Sequence, residues 1–121
     1  MKVDAILLCA LEEIPDGGAK ALQLSRVGEN LALVAVRRGG EVWVYRNCCP
    51  HFSVPLDFHP GEFCTYGGAL LMCAHHSAMF RFDDGLCVDG PCTGARLDAL
   101  PVCVQEGSLW LRADAPAIVT I

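Results

Sequence analysis

Two short stretches of this chain hold residue types that bind metals. The first is YRNCCPHF, residues 45–52, with adjacent cysteines followed by proline and histidine. The second is MCAHHSAMF, residues 72–80, with one cysteine and two adjacent histidines. Thiolate and imidazole are the ligands that iron, zinc and copper favour. Two registers are open. Cys48 and His51 with Cys73 and His76 would give C-x2-H twice, which suits a tetrahedral zinc site in a small interaction module. Cys49 and His51 with Cys73 and His76 would give C-x-H followed by C-x2-H. A Cys–His nucleophile is a third use of the same residues, but it needs one activated thiolate facing a cleft. No sequence feature singles out such a thiol.

The elements that must position these stretches are short strands. Apolar residues make up 53% of the 121-residue chain and charged residues 19%, enough for a packed core in one domain of residues 1–121. Period-two patterning predicts strands over 3–9, 19–25, 31–36, 42–46, 69–73, 79–82, 86–88, 97–104 and 108–112. In EVWVYR, residues 41–46, Val42 and Val44 face one way and Trp43 and Tyr45 the other. Glycine-rich turn signals separate the strands, and RRGGEV and CTYGGALL read as hairpins. Residues 8–14 could hold one helical turn at most. The fold class is therefore all-β, a compact antiparallel sandwich or barrel, with the two Cys/His loops lying between strands.

The asymmetric register resembles the Rieske 2Fe-2S signature, and the resemblance runs along nearly the whole chain. After His76, SAMFRFDDGLCVDGPC is similar to the family's aromatic strand and turn, and Gly90-Pro91 to the loop that covers the cluster. LDALPV, residues 97–102, is similar to its returning strand. The resemblance implies a Rieske-like fold, with a small cluster-binding subdomain at about residues 47–93. It implies one 2Fe-2S cluster held by Cys49, His51, Cys73 and His76, with the histidines on the outer iron. The sequence departs from the pattern twice. The 21 residues between His51 and Cys73 are more than usual, the extra length falling in a hairpin. Ser77 also stands where the family usually has the glycine that follows the last ligand.

The ligand set has an electrostatic reason. Two ferric ions, two sulfides and two thiolates sum to no net charge, and reduction leaves a single negative charge. Four thiolates would take the site from two negative charges to three, which is harder inside a protein. Replacing two thiolates by imidazoles thus raises the potential into the range of roughly −150 to +300 mV. Family members of high potential place serine and tyrosine hydroxyls near the cluster sulfurs. The matching positions here are Ala78 and Phe80.

The family implies a soluble electron carrier, not itself an enzyme, between a flavin-containing reductase and a terminal oxygenase. A small subunit of a larger reductase, such as nitrite reductase, is the alternative. Net charge is −5 and no basic run occurs, which argues against nucleic acid. The apolar run 5–11 is too short to span a bilayer, and no small-residue cleavage pattern comes after it. The expected location is the cytoplasm, where the eight cysteines would be thiols or metal ligands. Oligomeric state and the identity of the redox partners are not written in the sequence. Cys48, His59 and His75 are expected to be neighbours or turn residues, and Cys9, Cys64 and Cys103 buried packing. Arg37 and Arg38 are expected to be a solvated hairpin end. The register is directly testable. Cys49→Ala protein should be colourless, whereas Cys48→Ala protein should keep the red-brown absorption; the opposite pair of outcomes would overturn the asymmetric register.

Overall fold

The computed structural model describes residues 5–26, 29–50, 55–59, 61–73, 78–90 and 93–112. Within them lie eleven strands and one 3-10 turn. Strand β1 (Ala5–Ala10) is followed by the 3-10 turn Leu11–Glu13, then β2 (Ala19–Arg26), β3 (Glu29–Arg38) and β4 (Glu41–Arg46). After the first Cys/His loop come β5 (Cys64–Tyr66), β6 (Leu70–Met72), β7 (Met79–Arg81) and β8 (Cys87–Asp89). The chain closes with β9 (Ala99–Leu100), β10 (Val102–Gln105) and β11 (Ser108–Arg112). All pairings are antiparallel and form three sheets, ordered β1-β11-β10, β2-β3-β4-β9 and β5-β6-β7-β8. The all-β expectation holds.

The β2-β3-β4-β9 sheet separates two apolar cores, and strand alternation decides which residue joins which. Leu31, Leu33 and Ala35 of β3 and Val44 of β4 face the first sheet, meeting Cys9, Leu109 and Leu111. Val34 and Val36 of β3 and Tyr45 of β4 face the opposite way, toward Leu71, Phe80, Phe82 and Cys87 of the third sheet and its turns. Val42 packs with Val44 on one side, and Trp43 with Tyr45 on the other, as EVWVYR predicts.

Several details differ from expectation. The strand predicted over 97–104 is two strands that belong to different sheets. Leu100 pairs with Val44, while Val102 pairs with Leu111. Pro101 stands between them. It has no N–H for a ladder, and its carbonyl accepts from Arg112 N at 2.9 Å, so the chain changes sheets there. Arg37 is half-buried rather than freely solvated. Its guanidinium donates to the carbonyls of Ile14 at 3.0 Å, Leu11 at 3.4 Å and Gly39 at 2.7 Å, latching the hairpin end to the 3-10 turn. Arg38 lies over the Trp43 ring, 5.2 Å from its centroid.

The third sheet is tied to the central one by Tyr45, whose hydroxyl donates to the Phe82 carbonyl at 2.6 Å. Its ring leaves no room at Gly85, where an added Cβ would come within 2.8 Å of Tyr45 Cε1 and φ is +70°. Burial, reinforced by the carboxylates of Asp84 and Asp83, pushes the Tyr45 phenol well above its ordinary range. The unfolded chain then loses this proton before the folded one does. The stabilisation is complete below the ordinary tyrosine value of about 10 and is lost as pH rises toward the raised value. Tyr45→Phe should cost about 1–3 kcal/mol at neutral pH by orphaning the Phe82 carbonyl. It should also reduce the alkaline loss of stability, a pair of effects that urea unfolding at several pH values would measure.

Candidate metal centre

Cys49 and Cys73 are brought into the same core. Both are completely buried, beside Leu56, Leu71, Ala78 and Phe80. The local reasons are simple. Cys49 lies four residues beyond Tyr45, and Tyr45, Cys49 and Leu56 all belong to one apolar cluster. Cys73 comes two residues after Leu71, just past the end of β6, and joins the same core as Leu71. Cys48 is half-buried, with its Sγ 3.9 Å from the Cys49 carbonyl. His51, His75, His76 and Ser77 lie outside the described residues.

Both loops are closed at their necks. In the first, the Asn47 carboxamide oxygen accepts from Leu56 N at 2.6 Å, and its nitrogen donates to Asp57 Oδ1 at 3.1 Å. Asn47 N also donates to the Ala32 carbonyl of β3 at 2.9 Å. In the second, Cys73 N donates to the Ala78 carbonyl at 2.8 Å, directly below the β6–β7 pairing of Met72 with Met79. Sequence patterning does not single out Asn47. An Asn just after a strand and before a ligand loop is a loop-closing signal, but not a specific one.

A third segment packs on the second loop. Gly90, at φ +106°, sits so close that a Cβ there would meet Ala78 Cα at 2.7 Å. Only glycine permits both that conformation and that approach. Thr93 holds this turn by donating its hydroxyl to the Gly90 carbonyl at 2.7 Å. Gly90 thus packs against the base of loop two; Pro91 and Cys92, the rest of the loop expected to cover the cluster, lie outside the described residues.

The remaining candidates take no part in the centre. His59 is exposed in a turn, where Glu62 N donates to its carbonyl at 2.8 Å. Cys9 is buried, and burial first, then the Glu13 carboxylate, pushes its thiol up, opposed by Lys20. It is a packing residue. Cys64 and Cys103, expected to be buried, are half-exposed instead, because they lie on the outer faces of their short sheets. Among the described residues, no three His, Cys, Asp or Glu side chains converge on a point.

The cysteine environment fits an iron–sulfur cluster. Two cysteines with no solvent contact and an apolar surround would supply thiolate ligands shielded from bulk water. Among the described residues no helix is long and apolar enough to cross a membrane.

Comparison with known proteins agrees. The chain resembles the terminal oxygenase of carbazole 1,9a-dioxygenase from Novosphingobium sp. KA1, with a TM-score of 0.74 and 23% identity. That match covers 92% of this chain and 30% of the oxygenase chain, so this chain spans less than a third of it. A chain in the complex of reduced oxygenase and oxidized ferredoxin of carbazole 1,9a-dioxygenase matches with a TM-score of 0.70 and 23% identity, covering 92% of this chain and 94% of that one. A chain from the reduced complex between oxygenase and ferredoxin gives 0.72 and 24%, covering 92% and 28%. At these identities the likeness speaks for the fold. No curated protein sequence matches. The Rieske 2Fe-2S domain profile matches residues 4–106, most of the chain. The chain belongs to the Rieske 2Fe-2S domain family, and with that family comes a Rieske-type 2Fe-2S cluster.

Proposed function

We propose that this protein is a one-electron carrier whose cluster is held by Cys49, His51, Cys73 and His76. The observation that carries this reading is the burial of Cys49 and Cys73, at 0% exposure each, in one apolar core at the necks of two closed loops. The bound cluster would accept and release one electron. The chain's contribution is to hold the two thiolates, exclude water from them, and leave the histidine-bearing loops as the route outward. In this reading residues 1–121 form one domain, with residues 47–93 as its cluster-binding part.

The redox partners follow from the same reading. Electrons would come from a flavin-containing reductase and pass to a terminal oxygenase, in the cytoplasm. Support for a separate carrier comes from the match that covers 94% of a chain in a ferredoxin–oxygenase complex. Support for a strong reductant comes from Ala78 and Phe80. Both are fully buried beside the cysteines, and neither side chain can donate a hydrogen bond to a sulfide. Fewer donors leave the extra electron less stabilised and the potential lower.

Redox titration at neutral pH tests this. The midpoint should lie near the low end of the family range, nearer about −150 mV than +300 mV. Alanine at any of the four ligand positions should abolish the visible absorption and the EPR signal of the reduced protein. A nicotinamide-linked flavoprotein reductase should reduce the wild type, which should then reoxidise on adding an oxygenase component. A midpoint of about +200 mV or above would sink the oxygenase-carrier role.

A further inference from the structure

We propose that Asn47 is a positioning residue for the cluster, its carboxamide setting the geometry of the first ligand loop. This rests on the reading of Cys49 and His51 as ligands. The chain on either side of the first ligand loop meets at a single side chain. On the outgoing limb, Asn47 is fastened to the central sheet through its N–H on Ala32, at 2.9 Å. On the returning limb, it takes the Leu56 N–H at 2.6 Å and holds Asp57 Oδ1 at 3.1 Å. The second Asp57 oxygen accepts from Gly61 N at 2.9 Å, so the carboxylate is itself fixed by the next turn. Leu56, clamped by this bond, is fully buried in the same core as Cys49.

Loop closure by an Asn side chain is often only structural. Three features assign more to this one. The bonds are non-local, spanning nine and ten residues. Both are part-buried, and one is to a carboxylate, which strengthens it. They also join the two limbs of the loop that carries one thiolate and one imidazole ligand. A shift of the carboxamide would therefore move one limb against the other, and the ligand pair with them. Groups that orient metal ligands in this way typically change metal retention about 10- to 100-fold when lost.

The hydrogen-bond pattern supplies its own test, because the pair can be exchanged. Asn47→Asp alone sets a second carboxylate against Asp57 and opens the clasp. Asp57→Asn alone removes one of two acceptors. In the double variant, the new carboxylate at position 47 accepts from Leu56 N and from the new carboxamide at position 57. The carbonyl of that carboxamide takes the Gly61 N–H. All contacts and the net charge are restored. Potential is a poor readout, since a charge has moved toward the cluster. The readouts are the EPR line widths of the reduced protein and the half-life of its visible absorption with a chelator present.

Asn47→Asp should broaden the EPR lines and shorten the half-life about 10- to 100-fold. Asp57→Asn should give a smaller change of the same kind, and keeps the test alive should Asn47→Asp fail to fold. The exchanged pair should return both readouts to within about twofold of wild type. Arg37→Met, which loosens the far end of the sheet, should leave the line widths unchanged and so separates positioning from general destabilisation. Wild-type line widths and half-life in both single variants would overturn the proposal. So would an exchanged pair, folded by circular dichroism, that stays as broad and labile as Asn47→Asp. A wild type with no cluster signal would instead overturn the ligand reading beneath it.

Discussion

The alternation of side chains along β3 and β4 is the constraint from which the rest hangs. These two strands are buried on both faces, with Leu33, Ala35 and Val44 in one core and Val34, Val36 and Tyr45 in the other. A one-residue slip would exchange the two sets and turn Tyr45 away from Phe82. The same register aims the segment after β4. Tyr45 and Cys49 lie in one cluster, so the strand that fixes the tyrosine also determines where the first cysteine enters the core.

From that register the metal centre needs only short-range closures. The two cysteines are far apart in sequence, yet the closures at each loop are local. Asn47 joins limbs ten residues apart, and Cys73 N reaches Ala78 O across the loop below β6 and β7. The entropy of closing such small loops is modest, and the protein's own bonds at the necks offset it. Thr65 adds a longer tie, donating its hydroxyl to the Gly17 carbonyl at 3.1 Å and docking β5 against the start of β2. A site built this way is pre-organised by its necks, which belong to the rigid sheets.

The sequence carried more of this than composition alone would suggest. Alternation in EVWVYR placed four side chains on their observed faces, and the RRGGEV and CTYGGALL turns fell between paired strands. The pairing of Cys49 with Cys73 came from spacing read through a family pattern, and the two share one core. The features that stayed hidden were non-local. That Pro101 divides two sheets depends on which strands flank it, not on its neighbours in sequence. Arg37 looked solvated because a hairpin-end arginine usually is, and the three carbonyls that hold it come from distant turns and its own hairpin. Asn47 is equally ordinary until Leu56 and Asp57 are seen beside it.

The packing that protects the cysteines also limits what they can do. Among the described residues, no charged side chain is buried, and the core around Cys49 and Cys73 is made of Leu, Val, Ala, Phe, one Tyr and the Cys87 thiol. The Tyr45 hydroxyl is the one side-chain oxygen in that buried cluster, and its proton is already given to Phe82. Burial keeps that proton in place across the working pH range. A negative charge in such a core meets few side-chain dipoles able to turn toward it, so much of its stabilisation must come from backbone N–H groups. Apolar exclusion of water and a scarcity of side-chain donors are therefore two consequences of one choice of residues.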